Sequence, residues 1–528
     1  MTSFPLELPL AIESALQQHR AGQLAAAEAG YCRVLTVDPE NFDALHLLGV
    51  LARQTGDLDK AIALISHAVQ INDNEPAAQN NLGVAYQARN QPDAAETWYR
   101  RALSLRPDYA EAHYNLGTVL VAAGRYQEAA RSYRSAVACK PGYREAFNNL
   151  GATLRELGDL EEAETAFREA IRIKPDAEIY GNLGATLRTS GKPEQAELAY
   201  QQAIALDPDF SEAIHNLSQT ELLLGNYAAG FDHYEQRFAV GTGKLFQETT
   251  LSRFQHCQRW RGEPLAGRSL LVITEQGSGD NLMMMRYLPL LKRQNLERLT
   301  VCNRHAPLQR LFQTISGVDA VVSLEEASQL YNWDLYCPSM SLPYLCHTRI
   351  DTIPDTTPYL AVPERITQPW RTRLAAIPGM KVGLTWAAGC YLNYTDELRS
   401  IPLTAFAPLM RISGVHMVSL QKNDAASQIS ELGGAMFDWM AECADFLDTA
   451  ALVAALDLVI SVDTAVVHLA GALGKPVWLL NRFAGDWRWL LERNDSPWYP
   501  SLRIFRQDQC GDWERVVTML AAELSRPP

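Results

Sequence analysis

Apolar positions follow two different rhythms along this chain. Over residues 8–238 they recur at the three-to-four spacing of amphipathic helices, in pairs. A turn marker recurs at Gly22, Gly56, Asn90, Gly124, Gly158, Gly191 and Gly225, with a period of 34 residues and once 33. Pro39, Asp73, Pro107, Pro141, Pro175 and Pro208 keep the same step. So does an Asn-Leu-Gly triplet at Asn81, Asn115, Asn149 and Asn182, which becomes Asn216-Leu-Ser at its last occurrence. Each unit reads as two helices, with a small residue where they cross and a proline that stops the second.

After residue 238 the rhythm changes to short apolar runs separated by glycine turns and helical segments. Residues 239–264 read as a connector. Strands are predicted at 269–274, 299–302, 320–323 and 333–337, and then, after a proline-punctuated segment at Pro354, Pro358 and Pro363, at 381–386, 415–420, 456–460, 477–480 and 502–505. Helices are predicted at 282–291, 306–314, 404–410, 448–455, 465–473 and 512–524. Strand–turn–helix order repeated in this way predicts two Rossmann-like domains, 265–365 and 378–525.

The candidate chemistry sits at strand carboxyl ends, where open parallel sheets bind ligands and helix N-termini offer unpaired N–H groups to anions. The first such turn is Glu275-Gln-Gly-Ser-Gly-Asp-Asn281. Gly277 and Gly279 permit a tight turn and close backbone approach, but the pattern is neither GxGxxG nor a P-loop. Asp280 is either a helix cap or a general base facing a cleft. Met283, Met284 and Met285 read as core. The second turn is Ser461-Val-Asp-Thr-Ala465, with His468 on the following helix. Thr464 is placed to cap that helix, and Asp463 to bind a hydroxyl or to fix the turn. His468 is either a donor to phosphate or a satisfied, half-buried imidazole. Trp386, Arg399 on the polar loop 390–399, Gln421 and Lys422 also fall at strand ends, and Arg399 and Lys422 could neutralise a diphosphate. The aromatic residues between Trp487 and Tyr499 suit stacking on a base or packing between domains equally.

Composition narrows the classes. The chain has 528 residues, 47 basic against 61 acidic, for a net charge of -14. That argues against general nucleic-acid binding, which needs clustered Lys and Arg. The nine cysteines are dispersed, with no metal-ligand spacing, as expected of reduced thiols. With no signal-like start and no apolar run of membrane-spanning length, the cytoplasm is the expected location.

The three repeat markers together resemble the tetratricopeptide repeat. That resemblance implies a superhelix whose concave face binds a protein or peptide. Asn81, Asn115, Asn149, Asn182 and Asn216 would then form a ladder able to pair with peptide backbone, as in the repeat domain of protein O-GlcNAc transferase; alternatively each only braces its helix pair. Residues 265–525 resemble the heptosyltransferase-like glycosyltransferases of family nine, through Gly279-Asp280, Arg399-Ser-Ile-Pro-Leu403 and Ser461-Val-Asp-Thr-Ala-x-x-His468. The layout is also similar to repeat-bearing transferases that modify flagellins. The expected fold is therefore an α-solenoid of tetratricopeptide repeats followed by an α/β GT-B fold of two Rossmann-like domains.

By that resemblance Asp280 is the catalytic base, and Asp463, Thr464, Ala465 and His468 hold a nucleotide-sugar. Ala465 stands where Gly is common, and Asn281 where Thr or Val is usual. The implied reaction is inverting, metal-independent transfer of a sugar to an acceptor hydroxyl, with no cofactor beyond the nucleotide-sugar substrate. Two other readings stand beside it: a non-catalytic repeat scaffold with a degenerate nucleotide-sugar module, and a sugar-nucleotide epimerase.

Overall fold

The computed structural model describes residues 7–330, 332–389 and 398–526. Residues 390–397, most of the polar loop singled out above, lie outside the described residues. The chain divides into two compact units, Met1–Ser190 and Gly191–Pro528.

The first unit is a run of helix–turn–helix repeats from Glu7–Arg20 to Ala177–Thr189. Its turns are left-handed at Gly22, Gly56, Gly124 and Gly158, and Asn90 adopts φ 61° in the same role. The triplet glycines are where the helices cross. A Cβ on Gly83 or Gly117 would lie 2.7 Å from the ring of Tyr99 or Tyr133, and one on Gly151 would lie 2.9 Å from Phe167. Each of those aromatic rings is buried, at the same position of its repeat.

The marker asparagines brace successive repeats. The carboxamide NH2 of Asn115 donates to Asn80 Oδ1 at 3.0 Å, that of Asn149 to the Tyr114 hydroxyl at 3.2 Å, and that of Asn182 to Asn148 Oδ1 at 3.3 Å. Asn81 pairs with His46 Nε2 at 2.9 Å. Each partner lies on the corresponding helix of the preceding repeat, so the brace runs between repeats rather than within one helix pair.

The second unit opens with three more helices of the same register, Pro193–Leu206, Ser211–Leu223 and Tyr227–Tyr234. The spacing alone ends the array at 238. Compactness places these helices with the α/β region instead, because Leu222, Tyr227, Phe231 and Tyr234 share one apolar core with Trp260, Trp487 and Trp498. Trp498 Nε1 donates to the Tyr227 hydroxyl at 3.1 Å. The segment read as an irregular connector carries a short helix, Gly241–Thr249, and a two-residue strand, Gln258–Arg259.

Two parallel sheets follow. The first contains β1 (Gln258–Arg259), β2 (Ser269–Ile273), β3 (Arg298–Asn303), β4 (Ala320–Ser323) and β5 (Leu335–Pro338), in the order β1-β5-β2-β3-β4. The second contains β6 (Met380–Thr385), β7 (Val415–Ser419), β8 (Met436–Phe437), β9 (Leu458–Val462), β10 (Val477–Asn481) and β11 (Leu502–Arg506), in the order β11-β10-β9-β6-β7-β8. Every neighbouring pair is parallel. Strand order reverses between β2 and β5 in one sheet and between β6 and β9 in the other. Connections at those points leave the sheet in opposite directions and open a crevice at the strand carboxyl ends. The Glu275–Asn281 turn and the Asp463–Thr464 turn emerge there, after β2 and after β9.

Candidate functional site

The turn after β2 is held by its own side chains. Asn281 is fully buried; its Oδ1 accepts the Glu275 N–H at 3.2 Å, and its Nδ2 donates to the carbonyls of Glu275 and Gly277, each at 2.8 Å. Gln276 takes φ 58° to complete the reversal. The helix Ser278–Met284 then begins, and Asp280 accepts the Gly277 N–H at 2.9 Å, as a residue capping the first turn does.

A second anchor comes from the last repeat. Arg237, 2% exposed, donates to both oxygens of Glu275, at 2.7 and 3.1 Å, and to Glu235 at 2.6 Å. Glu275 also accepts the Met340 N–H at 2.9 Å. Burial alone would favour uncharged Arg237, but the Glu275 and Glu235 carboxylates outweigh it and hold the guanidinium charged. The end of the repeat region thus fixes the start of the Asp280 turn.

The turn after β9 is capped by Thr464, whose hydroxyl accepts the Val466 N–H at 3.3 Å and opens the helix Ala465–Ala472. This helix crosses the Ser278–Met284 helix at Gly279, where a Cβ would lie 2.7 Å from His468 Cδ2 and 3.4 Å from Ala465 Cα. The two turns therefore face one cavity of about 820 Å³. Gly277, Gly279, Asp280, Arg399, Gln421, Lys422, Asp463, Thr464, Ala465 and His468 all line it.

Two expected donor contacts are corrected. Asn281 staples its own turn, and Trp386 is fully buried in the core of the second sheet, so neither lines the cavity. Gln421 does line it, but its amide is engaged with backbone: Oε1 accepts the Trp386 and Ala387 N–H groups at 3.1 and 3.0 Å, and Nε2 donates to Ala387 O at 2.9 Å. Lys422 Nζ reaches the carbonyls of Cys443 and Ala444. Arg399 Nη1 donates to Asp463 O at 2.9 Å. Both of these bonds run to neutral carbonyls.

Arg488 and Asp486 are site residues that sequence reasoning passed over. Arg488 is 8% exposed; it pairs with Asp280 through Nη2 and with Asp486 through Nη1 at 2.6 Å. Burial opposes its charge, but the Asp280 and Asp486 carboxylates hold the guanidinium firmly protonated. Burial likewise works against the Asp486 carboxylate, yet Arg488 brings it below the usual range. Asp463 is displaced the other way, upward, by burial and by the nearby Asp486 charge. Arg488 sits in the sequence between Trp487 and Trp489, and that apolar setting masks a charged side chain turned to the cleft.

His468 is 4% exposed and stacked on Trp489, with ring centroids 5.3 Å apart. Its Nδ1 lies 3.0 Å from the Tyr499 hydroxyl. Burial first, and the Arg488 charge second, push its pKa down to about 3. It is a neutral imidazole, and it is fully rather than half buried. Either group can donate in that bond; in the tautomer where Tyr499 donates to Nδ1, the ring carries its proton on Nε2 and can donate at the cavity wall. The aromatic stretch around it is core: Trp487, Trp489, Trp498 and Tyr499 are all buried.

Comparison with known proteins agrees with this layout. Tetratricopeptide-repeat models match residues 40–108, 80–144, 114–178 and 177–210. A model of glycosyltransferase family 9 (heptosyltransferase) matches residues 427–481, which contain β9, the Thr464 turn, His468 and β10. Over 330 residues the chain is 33% identical to Protein FlbA of Caulobacter vibrioides, covering 57% of this chain and 53% of that protein. The chain thus spans about half the length of this curated relative. Among solved structures, MamA is 28% identical and covers 30% of this chain and 94% of its own, with a TM-score of 0.29. YrrB, described as a TPR protein with an unusual peptide-binding site, is 24% identical over 35% of this chain and 96% of its own, with a TM-score of 0.33. The chain therefore carries tetratricopeptide repeats in its N-terminal region, followed by an α/β region of two parallel sheets with a family 9 match in the second. Among the described residues, no helix is long and apolar enough to cross a membrane.

Proposed function

We propose that the α/β region is a GT-B glycosyltransferase that moves a sugar from a nucleotide-sugar to an acceptor hydroxyl, with the repeats recruiting a protein acceptor. The observation that carries this reading is the meeting of two helix-opening turns, each at the switch point of its own parallel sheet, on one cavity of about 820 Å³. That volume suits a nucleotide-sugar. The family 9 match over the second turn supports placing the donor there.

The reaction is inverting and needs no metal. Asp280 takes the proton of the acceptor hydroxyl as its oxygen bonds to the anomeric carbon. The bond from that carbon to the phosphate oxygen breaks on the opposite side, and the nucleotide leaves. N–H groups at the start of the Ala465–Ala472 helix, the His468 Nε2–H and the Arg399, Lys422 and Arg488 cations stabilise the charge that develops on the phosphate. Asp463 accepts from a donor hydroxyl. In the first unit the asparagine NH2 groups are engaged between repeats, which leaves the Oδ1 atoms of Asn81, Asn115 and Asn149 to accept N–H groups of a peptide.

The test begins with the thermal stability of the full chain against UDP, GDP, ADP, dTDP and CMP. A nucleotide at about 100 times its dissociation constant should stabilise the protein by about 2.7 kcal/mol. With the matching sugar donor, Asp280→Asn should lower transfer by about 10²–10⁴-fold while nucleotide stabilisation persists. Unchanged turnover in that variant would remove Asp280 as base. A chain that no nucleotide stabilises would favour a scaffold instead.

A further inference from the structure

A second cavity of about 770 Å³ opens beside the first and shares His215, Thr242, Gln276 and His305 with it. Its walls have three sources. The helix Ser211–Leu223 supplies Glu212, His215 and Asn216, the last at the ladder position of its repeat. The helix Gly241–Thr249 supplies Leu245 and Phe246, and the α/β region supplies Glu275, Arg304 and His305. Asp280 lines the first cavity only, and the shared residue Gln276 precedes its Gly277–Asp280 cap, so a chain lying in the second cavity reaches Asp280 by extending past Gln276 into the first.

The chemistry of these walls is specific. Leu245 is 58% exposed, and the buried Phe246 beside it carries the Arg304 guanidinium at 4.8 Å from its ring centroid. The Nε2 atom of His305 is buried without a hydrogen-bond partner among the described residues, on the wall common to both cavities. Burial, followed by the Arg304 charge, lowers the pKa of this ring, so it is a neutral hydrogen-bonding group. Of the two arginines lining this cavity, Arg237 is engaged by Glu275 and Glu235, and Arg304 lies over Phe246 with the Glu275 carboxylate acting on its charge. No cluster of basic side chains awaits a phosphate-rich glycan, which would require one. Neutral amides, hydroxyls and the exposed Leu245 side chain are what a polypeptide backbone and its side chains engage.

We propose that this second cavity is the acceptor subsite, and that its occupant is an extended, near-neutral polypeptide segment presenting a Ser or Thr hydroxyl to Asp280. The assignment rests on the donor reading above for its catalytic meaning, and its binding can be read separately. An array of blocked fifteen-residue peptides, each uncharged overall with one central Ser or Thr, is probed with the full chain and with the Leu245→Asp and Thr249→Trp variants, at positions that line the second cavity and not the first. Both positions are exposed, so neither change removes core packing. The nucleotide panel is run on all three proteins in parallel.

The expected result is a set of peptides retained by the wild type and bound at least tenfold more weakly by both variants, with nucleotide stabilisation unchanged. Retention equal in all three proteins would place peptide binding elsewhere and overturn the assignment. So would a wild type that retains none of the peptides, or a phosphorylated oligosaccharide whose binding shows the same sensitivity to Thr249→Trp. Loss of the nucleotide response alone, with the peptide result intact, would overturn the donor reading and leave the subsite standing.

Discussion

His468 makes the stability of this protein depend on pH in a calculable way. The ring is 4% exposed, stacked on Trp489 and held near 3 in pKa by burial and by Arg488, against an ordinary value of 6.5. A group whose pKa is lower in the folded state takes up its proton more readily when unfolded. Its contribution to stability is therefore complete above about pH 6.5 and is lost as pH falls toward 3. Each pH unit below 6.5 favours the unfolded chain by about 1.4 kcal/mol, so the loss is about 2 kcal/mol at pH 5. His468→Gln keeps a neutral amide near the cavity and removes the titration. Urea unfolding of the full chain, followed by tryptophan fluorescence at pH 7 and pH 5, measures the difference. The acidic residues contribute to both proteins alike and cancel. Wild type should lose about 2 kcal/mol more than His468→Gln over this interval. Equal losses would mean that His468 is not buried as a neutral ring, and the argument for an Nε2–H donor on the cavity wall would fall with it.

Two further substitutions test how the site is assembled. Gly279→Ala places a Cβ 2.7 Å from a ring that is itself stacked and cannot retreat, so it should cost about 1–3 kcal/mol of stability and weaken nucleotide binding; an unaltered unfolding midpoint would show that the two helices do not meet as described. Arg237→Met leaves Glu275 buried without its main counter-charge, with an expected loss of about 3–5 kcal/mol. Much of that loss should be recovered in Arg237→Met/Glu275→Gln, and a double variant no more stable than the single one would refute the ion pair as the anchor of the Asp280 turn.

Much of this architecture is legible in the linear chain because it depends on local periodicity. The repeat glycines mark both the left-handed turns and the helix crossings, since a residue there meets the same neighbour in every unit. The strands at 320–323 and 477–480 are found within a residue of their predicted places, because short apolar runs between turns have few alternatives. The turns after β2 and β9 stand out for the same reason. Strand β8 and the helix Gly241–Thr249 are not legible: two residues cannot show a period, and a helix with glycines at its first and third positions has little propensity of its own.

What the sequence by itself determined is the identity of the modules and the strand ends that carry polar residues. Only the tertiary structure decided which of those residues share a cavity. Trp386 and Asn281 occupy promising positions, yet their side chains turn into the core, because direction at a strand end depends on the neighbouring strand and on the turn's own hydrogen bonds. Arg488 lies 208 positions from Asp280 and is flanked by tryptophans, so no local pattern relates them. Their pairing exists because the helix at Gly279 packs against the helix at His468. The last repeat helices likewise read as solenoid, and packing made them part of the α/β core. Periodicity reports what each segment can bury; which segment it is buried against depends on contacts made across the whole chain.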